Sequence, residues 1–237
     1  MLAFKKIRAR AAARKGSEEV LASLLGPAPD NAAVAKIPDD RILSTMAERV
    51  FSAGFVWSVI QAKWPGFEEA FLGFDPTRLL FQPDDFWGDL TSDARIVRNG
   101  QKIMSVRENA AFIDRTSKEH GSFGKFLANW PADDQVGLTA YLGKHGNRLG
   151  GATGRYFLRW VGWDTYIVSG DMVAALRDAG LDIAENPTSK KDLAKVQWQI
   201  NEWAEETGLA RMHISRILSM SIGVNRTPEE LQAYMGE

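Results

Sequence analysis

Between residues 39 and 63 the sequence DDRILSTMAERVFSAGFVWSVIQAK sets Ile42, Met46, Val50, Phe51, Phe55 and Val59 mostly three or four positions apart. That spacing gathers apolar side chains on one face of a helix with 3.6 residues per turn and would scatter them over both faces of a strand. The same period recurs along most of the chain, over 83–90, 96–118, 122–130, 133–146, 151–162, 170–179, 187–206, 214–222 and 227–235. Two-residue alternation is confined to DTYIVS at 164–169. A chain patterned this way packs helices on helices, so the expected class is all-α. Asp39 and Asp40 start the first helix. Pro65 is expected to close it and to open a short helix over 65–73. Gly54 would then sit in a helix interior at a cost of roughly 1 kcal/mol against alanine. That cost suggests close packing, or room for a flat ligand beside Trp57.

Composition narrows function mainly by exclusion. With 45% hydrophobic residues in 237 there is enough apolar material for a substantial core. A net charge of -1 advertises no global attraction to nucleic acid, so any anion-binding surface must be local. The absence of cysteine removes disulfides, thiolate zinc sites, cysteine-ligated clusters and cysteine nucleophiles. Three histidines at unrelated spacings (His120, His145, His213) do not make a histidine metal site. No metal is expected, no apolar run reaches the ~20 residues of a membrane span, and a cytoplasmic location is expected.

The first fifteen residues carry six basic and no acidic side chains. They lack the apolar stretch of a signal peptide. An organellar transit peptide shares this composition, but alanine, arginine and lysine are also simply good helix formers. Residues 1–36 are taken as an N-terminal helical extension with a linker at 26–36.

The stretch RLGGATGRYFLRW puts three glycines into five residues and turns at once into a helical run. A helix ending near Gly146, a tight turn and a second helix from about Thr153 make a helix–hairpin–helix. The second helix offers unpaired N–H groups and the positive end of its dipole to an anion. Lys144, Arg148, Arg155 and Arg159 add four charges with no acid between them. A plain helix–helix connection with solvated basic residues explains the same pattern. In 51–71 the aromatic density is mostly core, while Trp57 offers a stacking platform for an extruded base. TGLARMHISRIL, within 203–223, has the form of a turn and recognition helix. It also reads as closing helices with a core stripe of Ile214, Ile217, Leu218 and Ile222.

Several blocks in order, PDDR, FSAGFVWSVIQAKWPGFEEAFLGFDP, ARIVRNGQKIMSVRENA and LGGATGRYFLRWVG, resemble the DNA-3-methyladenine glycosylase I family of the helix–hairpin–helix DNA glycosylases. The resemblance implies two helical lobes around a base-binding cleft, with the domain at 37–223 and a C-terminal helix at 224–237. It implies an enzyme of base excision repair that flips an alkylated purine out of damaged double-stranded DNA and hydrolyses its N-glycosidic bond, acting as a monomer. Trp57 falls on the base-stacking tryptophan and Lys63 on a recurrent lysine. The base-recognising glutamate position falls on Arg49, with Glu48 beside it. One residue of slip turns a helical side chain by about 100°. Phe55 joins Trp57 and Arg49 as a base-binding candidate, and Glu48 and Asp171 are the catalytic candidates. Ser169 or Asp171 can instead cap the helix that starts there.

The hairpin Leu149, Gly150, Gly151, Thr153 and Gly154 would hold the DNA backbone through its amides and a bound monovalent cation. Lys144, Arg148, Arg155, Arg98 and Lys102 are the flanking DNA contacts. Arg155 stands where bifunctional relatives carry a Schiff-base lysine, and a permanently protonated guanidinium forms no imine. Without cysteine the family's zinc clamp is absent, and no other cofactor is expected. A lesion-binding protein without catalysis and a helix-turn-helix regulator remain the alternative readings.

Overall fold

The computed structural model describes residues 1–227 and 229–230, so most of the helix expected over 227–235 lies outside the described residues. Fourteen α-helices follow one another among these residues. They are α1 (Phe4–Lys15), α2 (Glu18–Ser23), α3 (Asn31–Val34), α4 (Asp39–Ser52), α5 (Trp57–Ala70), α6 (Pro76–Leu80) and α7 (Asp84–Leu90). Then come α8 (Gly100–His120), α9 (Phe123–Asn129), α10 (Gln135–His145), α11 (Gly151–Trp160), α12 (Gly170–Asp178), α13 (Lys190–Thr207) and α14 (Arg211–Met220). No strand forms among the described residues, and the protein is all-α. None of their helices is long and apolar enough to cross a membrane.

Contacts divide the chain into two compact units, one of Met1–Pro29, Ala132–Val136 and the chain from Asp164 on, the other of Asp30–Pro131 and Gly137–Trp163. The N-terminal helix is no detached extension, because Phe4, Ile7 and Ala11 are fully buried with α12 and α14 residues such as Leu176, Ile214 and Ile217. Its basic residues are largely engaged. Arg10 pairs with Asp178 at 2.6 Å. Arg14 donates to the carbonyls of Met220 and Gly223, and Lys15 to the carbonyl of Arg226. Two of these cations thus sit at the carbonyl end of α14 and just beyond it, where the helix dipole favours positive charge.

In the same unit DTYIVS runs extended but joins no sheet. The Gln135 side chain does part of a neighbouring strand's work, accepting from the Tyr166 amide at 2.7 Å and donating to its carbonyl at 2.9 Å. The recognition-helix reading of 203–223 finds little support here. Ile214, Ile217 and Leu218 are fully buried, and Arg211 is held by Asn201 and Asp164 while Arg216 donates to the Leu25 carbonyl. Asp164 also caps α14 from outside, taking the amides of Arg211 and Met212.

The second unit is built around α8, whose Ile103, Val106, Ala110 and Ile113 are buried with Ile42, Leu43, Met46 and Val50 of α4. Most aromatics of 51–71 are core, as their spacing suggests. Phe51 and Phe67 meet edge to face at 4.7 Å, and Trp64 stacks on Phe67 at 4.9 Å. Three local expectations are corrected. The helix from Asp39 stops at Ser52 and restarts at Trp57. Pro65 lies inside α5, which forfeits one hydrogen bond but is held on both sides by buried Ile60 and Phe67. The helix expected over 96–118 starts only at Gly100, because the Asn99 side chain caps the Lys102 amide.

Phe4 packs in its unit with its ring 5.3 Å from that of Trp203, tilted by 41°. Replacing it with alanine is expected to cost about 3–5 kcal/mol, read by urea unfolding. An unchanged midpoint would show that α1 is a dispensable arm.

Candidate nucleic-acid interface and base site

One face of α8 carries the hairpin. Asn109, almost fully buried, accepts from the Asn147 amide at 2.7 Å and donates to the Asn147 carbonyl at 3.1 Å. The Asn147 side chain in turn donates to Glu108 at 2.6 Å, and Arg148 donates to Gln101 at 2.5 Å. Leu149 is fully buried and anchors the turn in the core. A Cβ at Gly154 would lie 2.3 Å from the Leu149 carbonyl oxygen, so only glycine lets α11 begin this close to the turn. Gly150 precedes α11, and no side chain caps the helix. Its N-terminal amides, Gly151 and Thr153 among them, carry no side-chain cap and make the positive end of the helix dipole. Lys144, Arg148 and Arg98 are exposed around it, and Arg155 is half-buried.

Beside the hairpin lies a cavity of about 280 Å³ lined by Val50, Ala53, Lys102, Arg148, Gly150 and Thr153. No acid lines it. Lys102 is not the exposed phosphate contact the sequence suggests, since only 6% of its surface is accessible. Its ammonium donates to the carbonyls of Phe51 at 3.1 Å and Ala53 at 2.5 Å and lies 4.6 Å from the Phe55 ring. Burial, and then the Arg148 charge, pull its pKa below the usual lysine value.

Those carbonyls end α4. Gly54 follows with φ +79°, in the left-handed region, and a Cβ there would meet nothing within 4 Å. It is a helix-ending glycine rather than an interior one, and close packing does not account for it. The turn leaves Phe55 42% and Val56 69% exposed at its tip. Trp57 then opens α5.

The restart sets Trp57 beside α11. Its ring lies 6.3 Å from that of Trp160, at 44°. Over the Trp160 ring, 4.1 Å from its centroid, sits the guanidinium of Arg49, a cation–π contact. Arg49 is buried and donates to Glu48 Oε1 at 3.1 Å, and the same oxygen accepts from the Gln61 amide group. Burial lowers the Arg49 pKa and the Glu48 carboxylate opposes that shift, so the group remains a cation. Two nitrogens of this corner, Arg49 Nε and Trp57 Nε1, are buried without a hydrogen-bond partner among the described residues. Glu48, Arg49 and Trp57 are thus brought together. Phe55 points to the exposed tip, and Lys63 donates to the Ala94 carbonyl. Trp160 and Gln61, which complete the corner, carry no sequence signal beyond ordinary helical spacing.

Asp171 belongs to the other compact unit, in the first turn of α12. The cap there is Ser169, which accepts from the Met172 amide, and the Asp171 carboxylate lies against Gly223.

Residues 33–140 match the family described as methyladenine glycosylase. This segment is similar to that family. It contains Glu48, Arg49, Phe55, Trp57, Arg98 and Lys102 and stops short of the hairpin. The chain is also similar to solved structures of 3-methyladenine DNA glycosylase I. One, from Staphylococcus aureus, is 23% identical over 53% of this chain and 77% of its own, with a TM-score of 0.47. Another, in complex with 3-methyladenine, is 22% identical over 58% of this chain and 80% of its own, with a TM-score of 0.48.

Exchanging Lys102 for methionine keeps the side-chain length but leaves the carbonyls ending α4 without their donor. We expect a loss of about 1–3 kcal/mol and faster amide hydrogen exchange over 53–57. Unchanged exchange would mean that the turn holds itself.

Proposed function

We propose that this chain is a DNA glycosylase that flips an alkylated purine out of damaged double-stranded DNA and hydrolyses its N-glycosidic bond. The observation that carries the reading is the Trp57–Trp160 corner, an aromatic platform created by breaking a helix, in the same compact unit as an uncapped glycine hairpin with exposed cations. In this reading the hairpin amides at Gly151 and Thr153 take a backbone phosphate, and hairpin carbonyl oxygens would hold a monovalent cation that adds positive charge there. Arg148, Lys144, Arg98 and Arg155 add a salt-dependent attraction. The apolar tip, Phe55 and Val56, enters the gap left in the base stack. The extruded base rests on the indoles, where stacking is worth roughly 1–3 kcal/mol.

An N-alkylated purine nucleoside carries its own positive charge and departs readily. The chain then has to stabilise an oxocarbenium-like sugar and position water. Glu48, in the same compact unit as the corner, is the carboxylate proposed for that work. Arg155 leaves no amine for an imine, so the product is an intact abasic site and the enzyme has no lyase activity. It acts as a cytoplasmic monomer. One observation favours a second reading, a lesion-binding protein without catalysis. A single oxygen of Glu48 already takes hydrogen bonds from both Arg49 and Gln61, which weakens its claim as a base.

Free-base release from methylated duplex DNA tests the proposal. The wild type is expected to release modified purines, and Trp57→Ala to lose on the order of ten- to a hundred-fold in rate, the loss of one stacked base. Lesion-dependent binding with no base released would establish the second reading instead.

A further inference from the structure

We infer that the Arg49–Trp57 corner reads a hydrogen-bond acceptor on the extruded base, so that the preferred substrates are 6-oxopurines rather than 6-aminopurines. The inference rests on the base-flipping reading above and adds the substrate class. A guanidinium has five N–H donors and no acceptor, and an indole has one donor and no acceptor. In this corner one donor of each kind, Arg49 Nε and Trp57 Nε1, is buried and unpartnered. Buried polar atoms are nearly always satisfied; single orphans such as Trp87 Nε1 occur elsewhere, but here two donors share one aromatic corner, where a ligand would supply the missing acceptors. The nearby acceptor does not serve, because Glu48 Oε1 already receives Arg49 and Gln61.

Purines divide cleanly on this point. Guanine-type bases offer O6 and N7 as acceptors, whereas adenine offers N7 beside an amino donor. An amino group turned toward Arg49 sets donor against donor next to a fixed positive charge, and Arg49 cannot relieve the clash by losing a proton. A carbonyl oxygen in the same place accepts a charge-assisted bond. Of the products of DNA methylation, 3-methylguanine and 7-methylguanine keep O6 and 3-methyladenine has the amino group. Hypoxanthine keeps both O6 and N7.

A methylated duplex carries all three alkylated bases, so one chromatographic assay of released base gives their relative rates, with a hypoxanthine duplex run alongside. The wild type is expected to release 3-methylguanine, which like 3-methyladenine departs from a cationic nucleoside, about ten- to a hundred-fold faster than 3-methyladenine. Arg49→Gln, which offers an acceptor as well as a donor, should bring the ratio near unity, and Arg49→Glu should reverse it. Release of 3-methyladenine as fast as 3-methylguanine by the wild type overturns the inference without recourse to any variant. So does a ratio that Arg49→Gln leaves unchanged in a protein of wild-type melting temperature. If no base is released from any duplex, the glycosylase reading falls, and the corner is tested by binding. Hypoxanthine and adenine are each placed opposite a tetrahydrofuran spacer. Tighter binding of hypoxanthine that Arg49→Gln removes sustains the inference, and equal affinities sink it.

Discussion

A buried lysine ammonium closes the helix that the candidate site depends on. Lys102 holds the carbonyls of Phe51 and Ala53, the partially negative end of α4, and lets the chain turn away through Gly54 before α5 begins. Desolvation costs an ammonium several kcal/mol and is offset only where hydrogen bonds and opposite charge surround it. Two carbonyls and a helix dipole supply both. Had α4 and α5 run on as one helix, each residue would advance about 100° around a common axis. Trp57, Phe55 and Arg49 would then hold the fixed positions of a continuous helix. The break gives Trp57 a new axis, and on it the indole meets Trp160.

The same α8 that carries Lys102 also carries Asn109, Glu108 and Gln101, which hold the hairpin at Asn147 and Arg148. Residues 101, 102, 105, 108 and 109 return to one side of a helix at steps of three and four. One rigid helix therefore positions both the backbone-facing turn and the base-facing corner, a geometry that loops could not hold as closely. The cavity lined by Lys102, Arg148, Gly150 and Thr153 lies where these two supports meet.

Much of the fold was legible because the 3.6-residue period reports burial directly. The hairpin was legible too, through its glycines. The break was not, although its signal was present. Gly54 is the usual helix-ending residue, but Phe55 and Val59 continue the apolar spacing across it. The structure leaves them 42% and 46% exposed, so the spacing there reflects a surface that stays open rather than a core face. Lys102 was misjudged for a related reason. Composition counts a lysine as positive surface charge, and nothing local says that the end of another helix lies above it. The Trp160 partner of Arg49 was out of reach, since nothing local in the sequence says that α11 packs on α4.

Arg49 is difficult to explain as a stabilising residue. A buried ion pair with one carboxylate is weak evidence for stability, and apolar replacements of similar volume are often neutral or better. The pair with Glu48 at 3.1 Å leaves one guanidinium nitrogen buried and unsatisfied, and the cation–π contact with Trp160 returns only about 1–2 kcal/mol. A leucine or methionine would fill the same volume beside Val50 and Trp160 without an orphan donor. Local rules broken without local compensation concentrate at functional sites. The break at Gly54, the orphan on Trp57 and the orphan on Arg49 all fall within residues 49–57. A site that pays in unsatisfied donors is best understood as one completed by its ligand.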